Sequence, residues 1–180
     1  MRWMNFVGGR YSVPAFIEEA TKIGVSRRVP RHSKVEYGDS VILARHGTAH
    51  SFAFGEMIVT RLTLEQGVAE KVTEKLIEQG KTVTVKAGNP VPIKRACGEY
   101  TVMSITSIDA SLQEVKAAAL EVNPKAMILI GGQFVKIPHF SLIPNPKFSR
   151  GLIKCRYDFS EASAWDRTAE LAGVEGYQKY

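Results

Sequence analysis

The sequence predicts an α+β fold with a curved, mostly antiparallel sheet and three to four flanking helices. With 180 residues, 44% of them hydrophobic, the chain is long enough to bury a core without disulfide staples. Short β-rich runs and helical runs follow one another without strict alternation, which disfavours a doubly wound parallel sheet. No segment repeats and no stretch is of low complexity, and a composition of 44% hydrophobic and 23% charged residues excludes a largely disordered chain.

Helices are predicted from capping residues and apolar spacing. Pro14 suits the first turn of a helix, and glycine or Asn-Pro after an apolar run suits its end. Thr63 with Gln66, and Ser111 with Glu114, match the capping box, in which a hydroxyl and a carboxylate or amide satisfy the first backbone donors. The three predicted helices start at Pro14, Thr63 and Ser111 and end at Gly24, Gly80 and Asn123.

Strands are predicted where β-branched and apolar residues run between turn residues. The turn Gly38–Asp39 opens a buried strand over residues 41–44, and Gly55 in the next strand marks a bulge or a close approach. A short polar loop joins these two strands, so we expect them to be antiparallel neighbours. Residues 24–34, GVSRRVPRHSK, are expected to form an irregular connection. The other predicted strands are 52–62, 81–86, 100–108, 126–130, 133–137 and 152–159.

Composition indicates a soluble, cytoplasmic protein with anionic partners. There are 24 Lys and Arg residues against 18 Asp and Glu, a net charge of +6. No apolar run reaches the length of a membrane span, the start lacks a signal-like apolar region, and two cysteines are too few for a disulfide framework. We expect one domain over residues 1–160 and a weakly structured tail over residues 161–180.

Two windows, residues 22–35 and 136–157, carry basic residues and no carboxylate. Guanidinium groups bind phosphates through paired, charge-assisted hydrogen bonds. If both windows border one concave face, that face would bind nucleic acid or a nucleotide. The alternatives are an ordinary solvated surface and an internal salt bridge of one arginine with Glu18 or Glu36. The candidate contact residues are Tyr11, which could stack on a base, and Arg27, Arg28, Arg31, Lys136, Arg150 and Lys154.

The remaining motifs indicate no cofactor and no metal. Gly8–Gly9 and Gly131–Gly132 lack the Lys-Ser/Thr of a phosphate loop, and no Gly-x-Ser-x-Gly occurs. His46 and His50 are four residues apart, but they fall in a predicted loop, which disfavours a helical zinc site. His46 and Glu56 are the candidates for acid–base chemistry if the protein is an enzyme.

Residues 35–65, VEYGDSVILARHGTAHSFAFGEMIVTRLTLE, resemble the PUA-like β-barrels, and among them the ASCH and EVE branches. The shared pattern is a Gly-Asp turn, an apolar strand, a short loop, and Phe-Gly-Glu followed by a β-rich segment. The resemblance implies a barrel that binds RNA or modified bases. Some ASCH members hydrolyse an acyl group from a modified cytidine with Lys, Thr and Glu, and residues 26–31, SRRVPR, stand where that branch has its Lys-rich signature.

The chain as a whole also resembles small phage and prophage proteins, chiefly through GGRYSVPAFIEEATKIGVSRRVP. That resemblance implies no activity. Three functions therefore stay open: binding of DNA, RNA or a modified nucleotide without turnover, catalysis on the same barrel by a nuclease or a modified-nucleoside hydrolase, and binding of a host protein by a phage accessory protein. The sequence identifies no catalytic residue.

Overall fold

The structure is a computed structural model that describes residues 1–8, 12–47, 50–92, 98–144, 151–155 and 164–165. Its helices are α1 (Val13–Ile23), α2 (Gln66–Glu78) and α3 (Leu112–Val122). Its strands are β1 (Arg2–Phe6), β2 (Val25–Arg28), β3 (Ser40–His46), β4 (His50–Glu65), β5 (Val83–Ala87), β6 (Val91–Pro92), β7 (Glu99–Tyr100), β8 (Val102–Ser107), β9 (Ile128–Pro144), β10 (Leu152–Lys154) and β11 (Ala164–Trp165). None of the described helices is long and apolar enough to cross a membrane.

Strand pairing is mostly antiparallel, and β1 with β3 is a parallel pair. The described strands form an open sheet, and β6 and β7 form a separate two-stranded one. Together with the three helices, this confirms the predicted α+β class. Tertiary contacts divide the chain into two compact units: unit 1 is Met1–Val25, Asp39–Ile58 and Gly132–Tyr180, and unit 2 is Ser26–Gly38 and Val59–Gly131.

In unit 1, β1 pairs with β10 and β3, and β3 pairs in turn with β4. The β3–β4 pair is antiparallel, which confirms the predicted neighbours. Leu43 lies opposite Gly55 and Ala44 lies opposite Ala53, so Phe54 is an extra residue on β4. This shift in register is a β-bulge beside Gly55, where the sequence predicts a bulge or a close approach. Beneath the sheet, Met4 and Ile42 are among the fully buried core residues.

Strand β1 was not predicted, because Asn5 interrupts its apolar pattern. Asn5 is buried, and its Nδ2 donates to the carbonyl oxygen of Gly151 at 2.9 Å. A buried amide with a satisfied donor is tolerated in a core, whereas an unsatisfied one is costly. A polar residue therefore occupies an inward position of a strand here.

In unit 2, β8 lies between β4 and β5 and is antiparallel to both. Helices α2 and α3 pack against each other, and Lys75 Nζ pairs with Glu121 Oε2 at 2.9 Å between them. The apolar faces of these helices and the inward residues of β4 and β8 are buried. The buried residues include Leu62, Leu64, Val72, Leu76, Ile105, Leu112 and Val115.

The capping boxes had different outcomes. Ser111 and Glu114 form the predicted box at α3, with both reciprocal hydrogen bonds present. The capping box predicted at Thr63 is wrong, because Thr63 is buried in β4 and α2 begins only at Gln66. The Thr63 Oγ1 lies 3.1 Å from Ser104 Oγ instead of capping the helix. Pairing of residues 62–65 with β8 keeps the chain extended through this point, so tertiary pairing overrides the local capping signal.

Two further predictions, an irregular connection over residues 24–34 and a break between two strands at Gly131–Gly132, are wrong. The segment expected to be an irregular connection contains β2, whose pairing with β9 is followed by a bond from Val29 N to Ile128 O at 3.0 Å. The strands expected on either side of Gly131–Gly132 are one strand, β9. A Cβ on Gly132 would lie 1.8 Å from the carbonyl oxygen of Ile58. Glycine at this position thus lets β9 continue where any larger residue would collide with β4.

Gly132→Ala should destabilise the protein by about 3 kcal/mol, because backbone rather than a flexible side chain occupies the space. Gly67→Ala in α2 is the matched control: its Cβ would meet nothing within 4 Å, and helix propensity predicts a gain of up to about 1 kcal/mol. Urea unfolding of both variants measures the two effects. A Gly132→Ala variant as stable as the parent would contradict the close approach of β9 to β4.

Candidate functional site

The three predicted arginines lie together on one short stretch of unit 2. We call residues 26–35 the basic segment; it consists of most of β2 and the loop after it. Arg27 is half-buried and Arg28 is exposed, as expected for neighbours on a strand, whose side chains point to opposite faces. Past the strand, Arg31, His32 and Lys34 are exposed. The segment therefore presents several basic side chains to solvent and contains no carboxylate.

Alternating with these exposed groups, the other residues of the basic segment anchor it. Val29, Ser33 and Val35 are buried. The backbone N–H of Ser33 donates to the carbonyl oxygen of Pro30 at 3.1 Å, closing a turn. The basic side chains thus stand on ordered backbone rather than on a loose loop.

Arg27 and Arg31 are partly engaged within the protein. Burial lowers the pKa of the Arg27 guanidinium, although an arginine stays charged at any physiological pH. The Arg31 Nη2 donates to the carbonyl oxygen of Pro124, just beyond the end of α3. Arg28 and Lys34 are accordingly the better candidates for direct contact with an anion.

Glu36 is the first carboxylate after the basic segment, and it is engaged with α3. Its Oε2 accepts from the backbone N–H of Leu112 at 2.9 Å and its Oε1 from that of Gln113 at 3.3 Å. A carboxylate at a helix N-terminus satisfies unpaired donors and complements the helix dipole. This role competes with the internal salt bridge considered for Glu36, and Glu18 pairs with Lys22 at 2.9 Å.

The other four predicted contact residues lie outside the basic segment in the chain. Lys136 is exposed on β9 and Lys154 is exposed on β10, both in unit 1. Tyr11 and Arg150 lie outside the described residues. A single face shared by both basic windows stays a prediction.

Two acidic residues and a tryptophan of unit 1 have structural hydrogen bonds. Asp39 accepts from Trp3 Nε1 at 2.9 Å, which ties the start of β3 to β1. Glu56 accepts from Ser40 Oγ. Within the described residues, no group of three His, Cys, Asp or Glu side chains could hold a metal ion.

His46 has the geometry of an oriented imidazole. Its ring stacks on Phe6 with centroids 4.1 Å apart and planes 6° apart. Its Nδ1 lies 3.1 Å from Ser51 Oγ on the neighbouring strand. Ser51 is fully buried, so it can orient the ring but cannot itself meet a substrate.

Sequence reasoning missed Lys116, which is 4% exposed within α3. Its Nζ donates to the carbonyl oxygen of Ser33 in the basic segment. Burial lowers the pKa of Lys116; the Glu36 carboxylate opposes this effect and the Lys34 ammonium adds to it. Lys116 follows Leu112 by four residues, so helical periodicity already places it on the apolar face of α3.

Comparison of the chain with known protein families, with curated proteins and with solved structures gave no match.

The burial of Tyr37, which follows Glu36, can be tested by the titration of its phenol. Burial, with a smaller contribution from the Glu36 carboxylate, raises the pKa of the Tyr37 phenol to about 12. In the unfolded chain the phenol ionises near pH 10. The protonated phenol is therefore favoured in the fold, and the stability this provides is complete below pH 10 and is lost between about pH 10 and pH 12.

We expect the parent protein to have lost about 1.4 kcal/mol more stability than the Tyr37→Phe variant by pH 11, because the variant has no phenol to ionise. Urea unfolding of both proteins at pH 8.5, 10 and 11 measures the difference. Equal losses in the two proteins would show that Tyr37 is not buried in this way.

Proposed function

We propose that the protein binds nucleic acid or a nucleotide through the basic segment, without chemical turnover. The observation that carries the proposal is the exposure of Arg28, Arg31, His32 and Lys34 on anchored backbone with no carboxylate among them. Basic side chains on ordered backbone lose less conformational entropy when they bind a phosphate than the same side chains on a flexible loop. The segment therefore suits a polyanion better than an arbitrary basic surface does.

The proposed fold context is a PUA-like barrel. Its support is the segment 35–65 that resembles this family, in which the antiparallel β3–β4 pair follows a turn at Gly38 and Asp39. Gly38 has a φ of +85°, a conformation that glycine adopts without strain. The backbone conformation of this turn therefore explains why the Gly-Asp pair of the family pattern has glycine at position 38 in this chain.

The test is the salt dependence of binding. Each phosphate neutralised by a basic side chain releases counterions, so log K falls with log salt by about 0.7 to 0.9 per contact. Replacing Arg28 and Lys34 together with Gln should weaken binding to all sequences and flatten this slope by up to about two units. Both side chains are exposed, so Tm should stay nearly unchanged. Fluorescence anisotropy with labelled single- and double-stranded DNA and RNA at several salt concentrations measures the slope.

The matched control is Lys71→Gln with Lys86→Gln, which removes the same charge from two exposed lysines on α2 and β5. If the control weakens binding as much as the Arg28 and Lys34 variant, net charge rather than the basic segment is responsible. If the parent protein binds no nucleic acid or nucleotide at about 50 mM salt, where electrostatic binding is strong, the proposal fails and binding to another protein becomes the leading function.

The oriented His46 supports a second candidate, an enzyme acting on nucleic acid or a modified nucleoside. With Nδ1 facing Ser51 and the ring held against Phe6, Nε2 is the nitrogen that could act as a general base. His46→Gln would then abolish turnover of labelled RNA or an acylated cytidine and leave binding through the basic segment intact. Turnover that survives the substitution would exclude His46 from catalysis.

A further inference from the structure

The basic segment and Glu36, the residue after it, make hydrogen bonds at the start of α3, at its middle and just beyond its end. At the start of α3, Glu36 accepts from two backbone donors and Gln113 Nε2 donates to the carbonyl oxygen of Val35 at 2.8 Å. Beyond its end, Arg31 reaches the carbonyl oxygen of Pro124. Between these two points lies the bond from Lys116 to Ser33. The helix thus supports the exposed part of the segment along its length.

The contact made by Lys116 is not explained by stability. Taking an ammonium out of water is costly unless its partners compensate fully, and a protein with an apolar side chain of similar volume at such a position is often as stable or more stable. Leu112, Val115 and Ala119 surround this position on the helix with apolar side chains. A methionine would therefore satisfy the packing of α3, but it could not donate to Ser33.

The bond acts on the backbone between exposed basic residues. Ser33 is buried, and its neighbours His32 and Lys34 are exposed. A buried carbonyl that loses a charged donor is penalised, and it can recover a hydrogen bond by turning toward water. Such a turn would carry His32 and Lys34 with it and change the spacing of the positive charges.

We propose that Lys116 is a positioning residue that holds the basic segment in its phosphate-binding shape through the carbonyl of Ser33. This inference rests on the proposed function of the segment. Lys116 itself touches no ligand, because it is buried beneath the segment.

Lys116→Met tests the inference. We expect Tm to stay within about 3 °C of the parent, since relief from burying the ammonium offsets the lost hydrogen bond. Amide hydrogen exchange in residues 31–35 should become faster. Affinity for a labelled 20-nucleotide RNA at low salt should fall about three- to tenfold, the scale expected for lost preorganisation.

Two controls separate positioning from charge and from folding. Lys71→Met removes one exposed charge from α2 and should leave hydrogen exchange in residues 31–35 unchanged and affinity nearly so. Lys116→Arg retains a donor and a charge at the same position and should keep most of the affinity of the parent. It also tests the inference if the methionine variant fails to fold.

Parental affinity in a folded Lys116→Met variant would overturn the inference. So would a Lys116→Arg variant that folds and shows slow exchange in residues 31–35 but binds the RNA three- to tenfold more weakly than the parent does. Failure of the proposed function is a different result: the parent itself would then bind no RNA, DNA or nucleotide at low salt, whatever hydrogen exchange shows for the bond between Lys116 and Ser33.

Discussion

The close backbone approach of β9 to β4 is the constraint on which the strand arrangement of unit 1 depends. At Gly132 a single Cβ would collide with the carbonyl oxygen of Ile58, and at Gly55 it would collide with the ring of Phe134. Strand β4 pairs with β3 along one part of its length and with β8 along another, and β9 pairs with β2. Both close contacts lie within unit 1, where the two glycines set how closely β9 can run beside β4.

Local signals in the sequence predicted those elements whose ends are determined locally. The capping residues of α1 and α3 and the bulge at Gly55 are of this kind, because a hydroxyl at a helix start or a missing Cβ acts on its immediate neighbours. Strand β2 and the delayed start of α2 were not predicted, since pairing with β9 and β8 overrides the local preference. The Gly131–Gly132 pair was misread as an interruption for the same reason.

The candidate site divides in a similar way. Clustering and the absence of carboxylates indicated the basic segment from sequence, and the strand geometry explains why Arg27 is half-buried and Arg28 is exposed. The partners of the segment could not be predicted, because Lys116, Gln113 and Pro124 are about 80 to 90 residues away in sequence. The sequence does place Lys116 among the apolar residues of α3, which indicates that it is buried. Its role could not be predicted, because that role depends on which segment packs against this face of the helix.

The division of the chain between the two units has a consequence for the order of folding. Most of unit 2 is one uninterrupted stretch, Val59–Gly131, whereas unit 1 combines three separate stretches. In unit 1, Trp3 pairs with Lys154, so β1 cannot complete its hydrogen bonds until nearly the last of the described chain has been synthesised. Contacts between residues far apart in sequence form slowly because they close large loops. During synthesis on a ribosome, therefore, the helices and hairpins of unit 2 are expected to assemble before β10 is available to pair with β1.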